Sequence, residues 1–131
     1  MHIRTFGVSL AGLVGAFLWS NAAAAQNVTY TDAQATRGAQ LFNDNCMRCH
    51  GAGAKGGQGP ALVGAQFDDD WRGKPVAAMY EYMSNNMPYD EPGTLDKDIY
   101  VNVLAWVLKM NGVPASGQPL VQNPPGIIPR R

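Results

Sequence analysis

The pentapeptide Cys46-Met47-Arg48-Cys49-His50 decides what kind of protein this chain can form. Its C-x-x-C-H spacing is typical of covalent haem attachment. Both thiols lie within one turn of chain, so each can reach one of the two vinyl-derived positions of a single macrocycle. His50 follows directly, and its imidazole is thereby placed to become the proximal iron ligand. We therefore predict one haem c, bound covalently through Cys46 and Cys49.

Other interpretations of this motif fit the sequence less well. A thioredoxin-like redox pair needs an adjacent βαβ pattern, and the sequence shows no strand pattern. A zinc site needs more cysteine or histidine ligands, whereas the other histidine, His2, lies in the N-terminal apolar segment. A structural disulfide suits an oxidising compartment but leaves His50 without a role.

The second axial ligand is expected to be a methionine, because His50 is the only histidine after residue 25 and no second histidine can bind the iron. Met47 lies inside the attachment turn and cannot reach the other face of the haem. Met110 ends the last predicted helix, where we expect it to pack in the core. The remaining candidates are Met79, Met83 and Met87.

Met87 is the predicted ligand, and Met83 is the alternative. Met79 and Met83 share the apolar stripe of a helix, which is typical of core packing. Met87 stands in the loop Asn85-Asn86-Met87-Pro88, where proline restricts the backbone. Ligation by histidine and methionine raises the reduction potential and leaves no open position on the iron. Such a centre transfers single electrons.

The composition limits the remaining function classes. A chain of 131 residues is one small domain, and its 10 basic and 10 acidic residues show no positive excess for nucleic-acid binding. Fifteen glycines and nine prolines predict extensive loops, and two cysteines cannot build a disulfide scaffold. Such a chain needs a further source of stability, which an apolar macrocycle in the core would supply.

Residues 1–25 have the features of a secretory signal. Arg4 precedes an apolar run of 12 residues, Val8 to Trp19, and Ala23-Ala24-Ala25 favours cleavage before Gln26. The alternative is an uncleaved anchor, but the run is shorter than the roughly 20 residues that span a bilayer. We therefore expect a periplasmic protein whose mature form has no membrane span.

Helical spacing predicts an all-α fold of three to four helices. The first helix begins near Thr31, where Thr31 and Gln34 have the spacing of a capping box. A middle helix starts near Pro75. The last helix runs from Asp96, a candidate side-chain cap, to Asn111.

The other segments are predicted to be irregular. Residues 51–67 are rich in glycine and read as a loop, with a helix start at Asp68 to Asp70. The predicted domain covers residues 26–115. Residues 116–131 are rich in proline and predict an extended tail that could wrap on the surface.

Four short patterns occur in an order that resembles one protein family. They are a CxxCHG motif, a GxGPxL segment, a tryptophan-containing stretch and a Met-Pro loop before the last helix. In this sequence they are Cys46–Gly51, Gly57–Leu62, Trp71 and Met87-Pro88. Over roughly residues 31–114 the chain resembles the class I monohaem cytochromes c. It is most similar to the small periplasmic bacterial cytochromes that accompany quinoprotein alcohol dehydrogenases.

The resemblance implies further roles for individual residues. Pro60 matches the proline whose carbonyl accepts the ring proton of the proximal histidine, which would orient His50. Leu62 matches an apolar residue packed on the haem. Trp71 either donates its indole N–H to a haem propionate or is a partly buried surface residue. The family fold crosses the first and last helices at a contact that corresponds to Gly38, Phe42 and Trp106.

Together these features predict a monomeric periplasmic electron carrier that is not an enzyme. It would accept electrons from a periplasmic dehydrogenase and pass them to a terminal oxidase or another cytochrome. One alternative is a tightly bound subunit of a dehydrogenase complex, tethered by the tail. The other is a haem enzyme or gas sensor with a labile distal ligand. Docking would use an apolar rim at the haem edge, where Arg48 and Lys55 have no acidic neighbour in the sequence.

Overall fold

A computed structural model describes residues 27–131, so the predicted signal segment and its cleavage site lie outside the described residues. This part of the chain contains five α-helices and one 3₁₀ turn, and it has no named strand. One isolated antiparallel bridge joins Pro75 to Ile127. The all-α prediction is confirmed, with five α-helices in residues 27–131 where three to four were predicted. The elements are α1 (Asp32–Asn45), α2 (Met47–His50), the 3₁₀ turn (Ala52–Ala54), α3 (Ala65–Trp71), α4 (Val76–Asn86) and α5 (Lys97–Met110). In residues 27–131, no helix has the length and apolar character that crossing a membrane requires.

Helix α1 begins at the predicted capping box. The Thr31 hydroxyl accepts the Gln34 N–H at 3.1 Å, and the Gln34 side chain accepts the Thr31 N–H at 3.2 Å. The same Gln34 amide also binds the backbone of Leu120, donating to its carbonyl and accepting from its N–H, both at 2.8 Å. One side chain therefore caps α1 and fixes the C-terminal segment to it.

Helices α1 and α5 form the central crossing of the fold. A Cβ on Gly38 would lie 2.6 Å from the Asn102 carbonyl carbon and 2.8 Å from the Trp106 Cβ. Gly38 therefore marks a close approach of two helices, which no larger residue allows without moving the backbone. The rings of Phe42 and Trp106 meet at 4.5 Å. This contact is the one that the family resemblance implied.

Two details predicted for α5 are wrong. Asp96 is the N-cap residue, but its side chain makes no capping hydrogen bond, and its carbonyl accepts the Ile99 N–H instead. Met110 is 46% exposed and does not pack in the core. Asn111, four residues after Val107, takes the inward position at that end of the helix, so Met110 falls one residue away from the buried face.

Helix α3 starts earlier than predicted. It begins at Ala65 after Gly64, whose φ is +73°, so Asp68 to Asp70 lie within the helix and do not start it. Phe67 is fully buried and fixes the first turn to the core. Asp68 pairs with Arg72 at 2.8 Å.

The C-terminal segment, residues 112–131, is extended and packs closely on the helices. Leu120, Pro124 and Ile128 are buried. Ile128 pairs with the α3–α4 turn, donating to the Lys74 carbonyl at 2.9 Å and accepting from the Gly73 N–H at 2.8 Å. The segment thus contributes to the hydrophobic core.

Candidate haem site

The attachment turn follows directly from the end of α1. The Cys46 N–H donates to the Phe42 carbonyl, and the Cys49 and His50 N–H groups both donate to the Cys46 carbonyl at 3.1 and 3.0 Å. Both cysteines are partly buried and neither forms a disulfide. The backbone therefore presents the two thiols and the imidazole from one compact turn.

The glycine-rich loop folds back over this turn and positions His50. The His50 Nδ1 atom lies 2.8 Å from the Pro60 carbonyl oxygen, and the ring is 8% exposed. A neutral imidazole that donates from Nδ1 keeps its Nε2 lone pair for a metal. A Cβ on Gly59 would lie 3.1 Å from the ring, so glycine permits the close approach. In residues 27–131 no protein group forms a hydrogen bond with Nε2.

The electrostatics of Cys46 do not favour a redox-active pair. Burial, with a smaller contribution from Cys49, raises the pKa of Cys46 to about 11. Catalytic dithiols and metal-binding cysteines work through a lowered thiol pKa.

The backbone of Met87 is hydrogen-bonded on both sides of the residue. Its N–H donates to the Met83 carbonyl at 3.0 Å, where α4 ends. Its carbonyl accepts the Tyr100 hydroxyl at 2.6 Å and the Gly93 N–H at 3.1 Å. Tyr100 is 3% exposed, so this bond anchors the Met87 loop to the interior of α5.

The other methionines occupy different environments. Met79 is 1% exposed and belongs to the core, while Met47 is 40% exposed on the attachment turn. Met83 and Met87 are both partly buried beside the core. The choice between these two stays a prediction; Met87 is the one whose carbonyl is tied to α5, through the Tyr100 hydroxyl.

Asn111 positions Leu62, which is a role that sequence reasoning missed. Asn111 is 2% exposed, and its amide donates to the Leu62 carbonyl at 2.9 Å and accepts the Gly64 N–H at 3.1 Å. Leu62 is partly buried against the core. An asparagine at a helix end reads as an ordinary terminator in sequence, so only its buried position reveals this second function.

Trp71 lies at the end of α3, partly buried. Its ring contacts Tyr82 at 5.8 Å, and the Lys74 ammonium lies 5.5 Å from the ring centre. Within residues 27–131 its indole N–H has no hydrogen-bond partner, and no hydrogen bond joins either Trp71 or Met87 to His50. Its predicted bond to a haem propionate stays a prediction.

An ion pair that the sequence did not indicate lies beside the attachment turn. Arg48, expected to have no acidic neighbour, lies 2.6 Å from the Asp90 carboxylate. The Arg48 guanidinium lowers the pKa of that carboxyl through their hydrogen bond. The two residues are 42 positions apart, so only the folded chain brings them together.

The donor set and its surroundings fit a covalently bound haem. Two free thiols, an imidazole oriented through Nδ1, and a thioether on a fixed loop are the groups that a c-type haem needs. Several apolar side chains remain partly uncovered beside the core, as expected where a macrocycle would cover them: Leu62, Val63, Trp71, Met83 and Met87.

Comparison with known proteins identifies the same region of the chain. Residues 33–107, more than half of the chain, match the family described as "Cytochrome C oxidase, cbb3-type, subunit III". The crystal structure of the sulfane dehydrogenase SoxCD from Paracoccus pantotrophus is similar, with a TM-score of 0.52 and 30% sequence identity over 61% of this chain. The match spans 44% of that chain, less than half of its length. No curated protein sequence matches at a significant level.

Proposed function

Because this chain belongs to the family of cytochrome c domains described as cbb3-type cytochrome c oxidase subunit III, and is a class I monohaem cytochrome c with a role in haem-based electron transfer, we propose that it is a periplasmic single-electron carrier. Its haem c would be attached through Cys46 and Cys49. His50 and Met87 would be the axial ligands.

The observation that carries this proposal is the pairing of an oriented imidazole with a fixed thioether loop. The Pro60 carbonyl accepts the Nδ1 proton of His50, so the ring keeps one tautomer and one orientation. Tyr100 holds the backbone of Met87 from the buried side. Each ligand would thus have a separate protein contact that limits its movement.

The haem, when bound, supplies the redox-active iron. The protein residues supply the ligands, their orientation and the exclusion of water. The Pro60 carbonyl would strengthen donation by His50, and a thioether from Met87 would favour the ferrous state and raise the potential. If His50 and Met87 both bind the iron, oxygen and substrates would have no coordination site. This arrangement supports electron transfer and disfavours the haem-enzyme and gas-sensor alternatives.

Two kinds of partner follow from the relatives. The similar structure is described as a sulfane dehydrogenase, which supports a periplasmic dehydrogenase as electron donor. The matching family is described as an oxidase subunit, which supports a terminal oxidase or another cytochrome as acceptor. The signal features of residues 1–25 support the periplasmic location.

A stable subunit of a dehydrogenase complex is the second candidate function. The name of the similar structure favours it. The C-terminal segment does not favour tethering, because Leu120 and Ile128 are buried in their own chain and are not free to reach a partner. Co-purification with a dehydrogenase would distinguish a subunit from a free carrier.

The test of ligation is the near-infrared band of a methionine–iron bond in the ferric protein. Met87→Ala should abolish the band and open the ferric iron to imidazole or cyanide and the reduced iron to carbon monoxide. Met83→Ala, at a partly buried methionine in the last turn of α4, is the matched control and should leave the band in place. If Met83→Ala removes the band and Met87→Ala keeps it, the assignment of the ligand is wrong.

A further inference from the structure

The distal loop, residues 87–93, is closed at its base. The Gly93 N–H donates to the Met87 carbonyl at 3.1 Å, and the Glu91 N–H donates to the Pro88 carbonyl at 3.1 Å. Gly93 has a φ of +73°, which glycine adopts readily. The base is fixed to α5 through the hydroxyl of Tyr100.

The tip of the distal loop has few contacts of its own. Tyr89 is 86% exposed, and residues 90–92 are exposed as well. Within residues 27–131, one hydrogen bond joins residues 88–92 to a distant segment of the chain. In it the Arg48 guanidinium donates to the Asp90 carboxylate at 2.6 Å. Arg48 lies between the two attachment cysteines. The pair therefore connects the segment that carries His50 to the segment that carries Met87.

We propose that Arg48 and Asp90 are positioning residues that hold the distal loop closed and so favour binding of Met87 to the iron. The inference rests on the proposed function, because it requires Met87 to be the distal ligand. Breaking the ion pair removes the described contact that joins the tip of the loop to another part of the chain. Met87 then leaves the iron more readily, and an external ligand competes with it more successfully.

The expected effect is small because the pair is exposed. The side chains of Arg48 and Asp90 are 77% and 59% exposed, so water and salt screen their attraction. Exposed ion pairs typically shift an equilibrium by about 1.4- to fivefold. The affinity of the ferric protein for imidazole should therefore increase by that factor when the pair is removed. Rising ionic strength should move the wild-type affinity towards that of the variant.

The chain offers a matched control in a second exposed ion pair. Lys109 and Asp32 lie 2.7 Å apart, with side chains 49% and 73% exposed, and they join α5 to the start of α1. Asp32→Asn removes the same kind of interaction away from the distal loop. It should leave imidazole binding unchanged, whereas a general effect of lost surface charge would alter both variants alike.

The experiment titrates the ferric holoprotein with imidazole at low and high salt. Asp90→Asn should bind imidazole about 1.4- to fivefold more tightly than wild type at low salt, and the difference should disappear at high salt. The double exchange Arg48→Asp with Asp90→Arg should restore wild-type affinity. If Asp90→Asn binds imidazole like Asp32→Asn, the inference is overturned.

A parallel measurement separates this inference from the proposed ligation. If Met87→Ala keeps the near-infrared methionine–iron band, the ligand assignment fails and the inference fails with it. If Met87→Ala loses the band while Asp90→Asn behaves like Asp32→Asn, only the role of the ion pair fails.

Discussion

Replacing Tyr100 with phenylalanine should loosen Met87 without removing any ligand. The Tyr100 hydroxyl is buried, donates to the Met87 carbonyl at 2.6 Å and accepts the Leu95 N–H at 3.3 Å. Tyr100→Phe keeps the ring packing in α5 and removes both bonds. The Met87 carbonyl would retain the Gly93 N–H at 3.1 Å. The substitution therefore isolates the anchor between the distal loop and α5.

The size of the effect follows from these bonds. Losing one buried neutral hydrogen bond costs about 1 kcal/mol, and a partner left unsatisfied raises the cost towards about 2 kcal/mol. If this energy favours the closed distal loop, the imidazole affinity of the ferric protein should rise about five- to thirtyfold, since about 1.4 kcal/mol corresponds to tenfold. The near-infrared band should weaken in parallel as imidazole is added.

Tyr30→Phe is the matched control for this measurement. Tyr30 is 1% exposed, and its hydroxyl donates to the Val113 carbonyl, away from the distal loop. It should lower the free energy of unfolding by about 1 kcal/mol and leave imidazole binding within about twofold. Tyr100 does not anchor the distal loop if Tyr100→Phe binds imidazole as wild type does, or if both variants shift the affinity equally.

Three other predictions concern the core, the cofactor and the partners. Ile128 is fully buried, so Ile128→Ala should lower the free energy of unfolding by about 2–5 kcal/mol. Ile127→Ala, at a 44% exposed neighbour, should change it by less than about 0.5 kcal/mol, and equal effects in denaturant unfolding would contradict the packing of the C-terminal segment. Cys46→Ala combined with Cys49→Ala should yield little folded protein. Backbone ordering costs about 1–2 kcal/mol per residue, and without haem the apolar surface beside the core stays uncovered. A cooperative unfolding transition of this variant in circular dichroism would disprove the prediction. The rate of electron transfer from a purified donor should vary only a few-fold while the Debye length falls from about 30 to 10 Å, because the chain beyond residue 25 carries 9 basic and 10 acidic residues and the arginine of the attachment turn is already paired. A hundredfold fall in stopped-flow measurements would instead indicate a localised charge patch.

Local sequence patterns predicted most of the helices and the attachment turn that contains His50. The capping box of Thr31 and Gln34, the long last helix and the C-x-x-C-H turn each depend on residues within a few positions of one another. The side-chain spacing of a helix and the reach of two thiols are short-range properties. They can therefore be predicted before the chain is folded.

The starts and ends of elements were less well predicted where packing competes with propensity. The aspartates of residues 68–70 favour a helix start. The helix α3 nevertheless begins at Ala65, because its first turn packs Phe67 into the core. Met110 has the character of a core residue, yet Asn111 takes the inward position. In both cases, which side chain is buried decides the outcome, and burial depends on the neighbouring elements.

The helical class and the attachment turn follow from the sequence alone, and His50 as the proximal ligand is a prediction from the same motif. The folded chain was needed to show that Asp90 meets Arg48, that Asn111 holds Leu62, and that the C-terminal segment is buried at Ile128. The partners in these contacts are between 42 and 54 positions apart, counting Ile128 and its partner Lys74. The sequence around one partner does not indicate the other, because such contacts depend on how distant segments pack together.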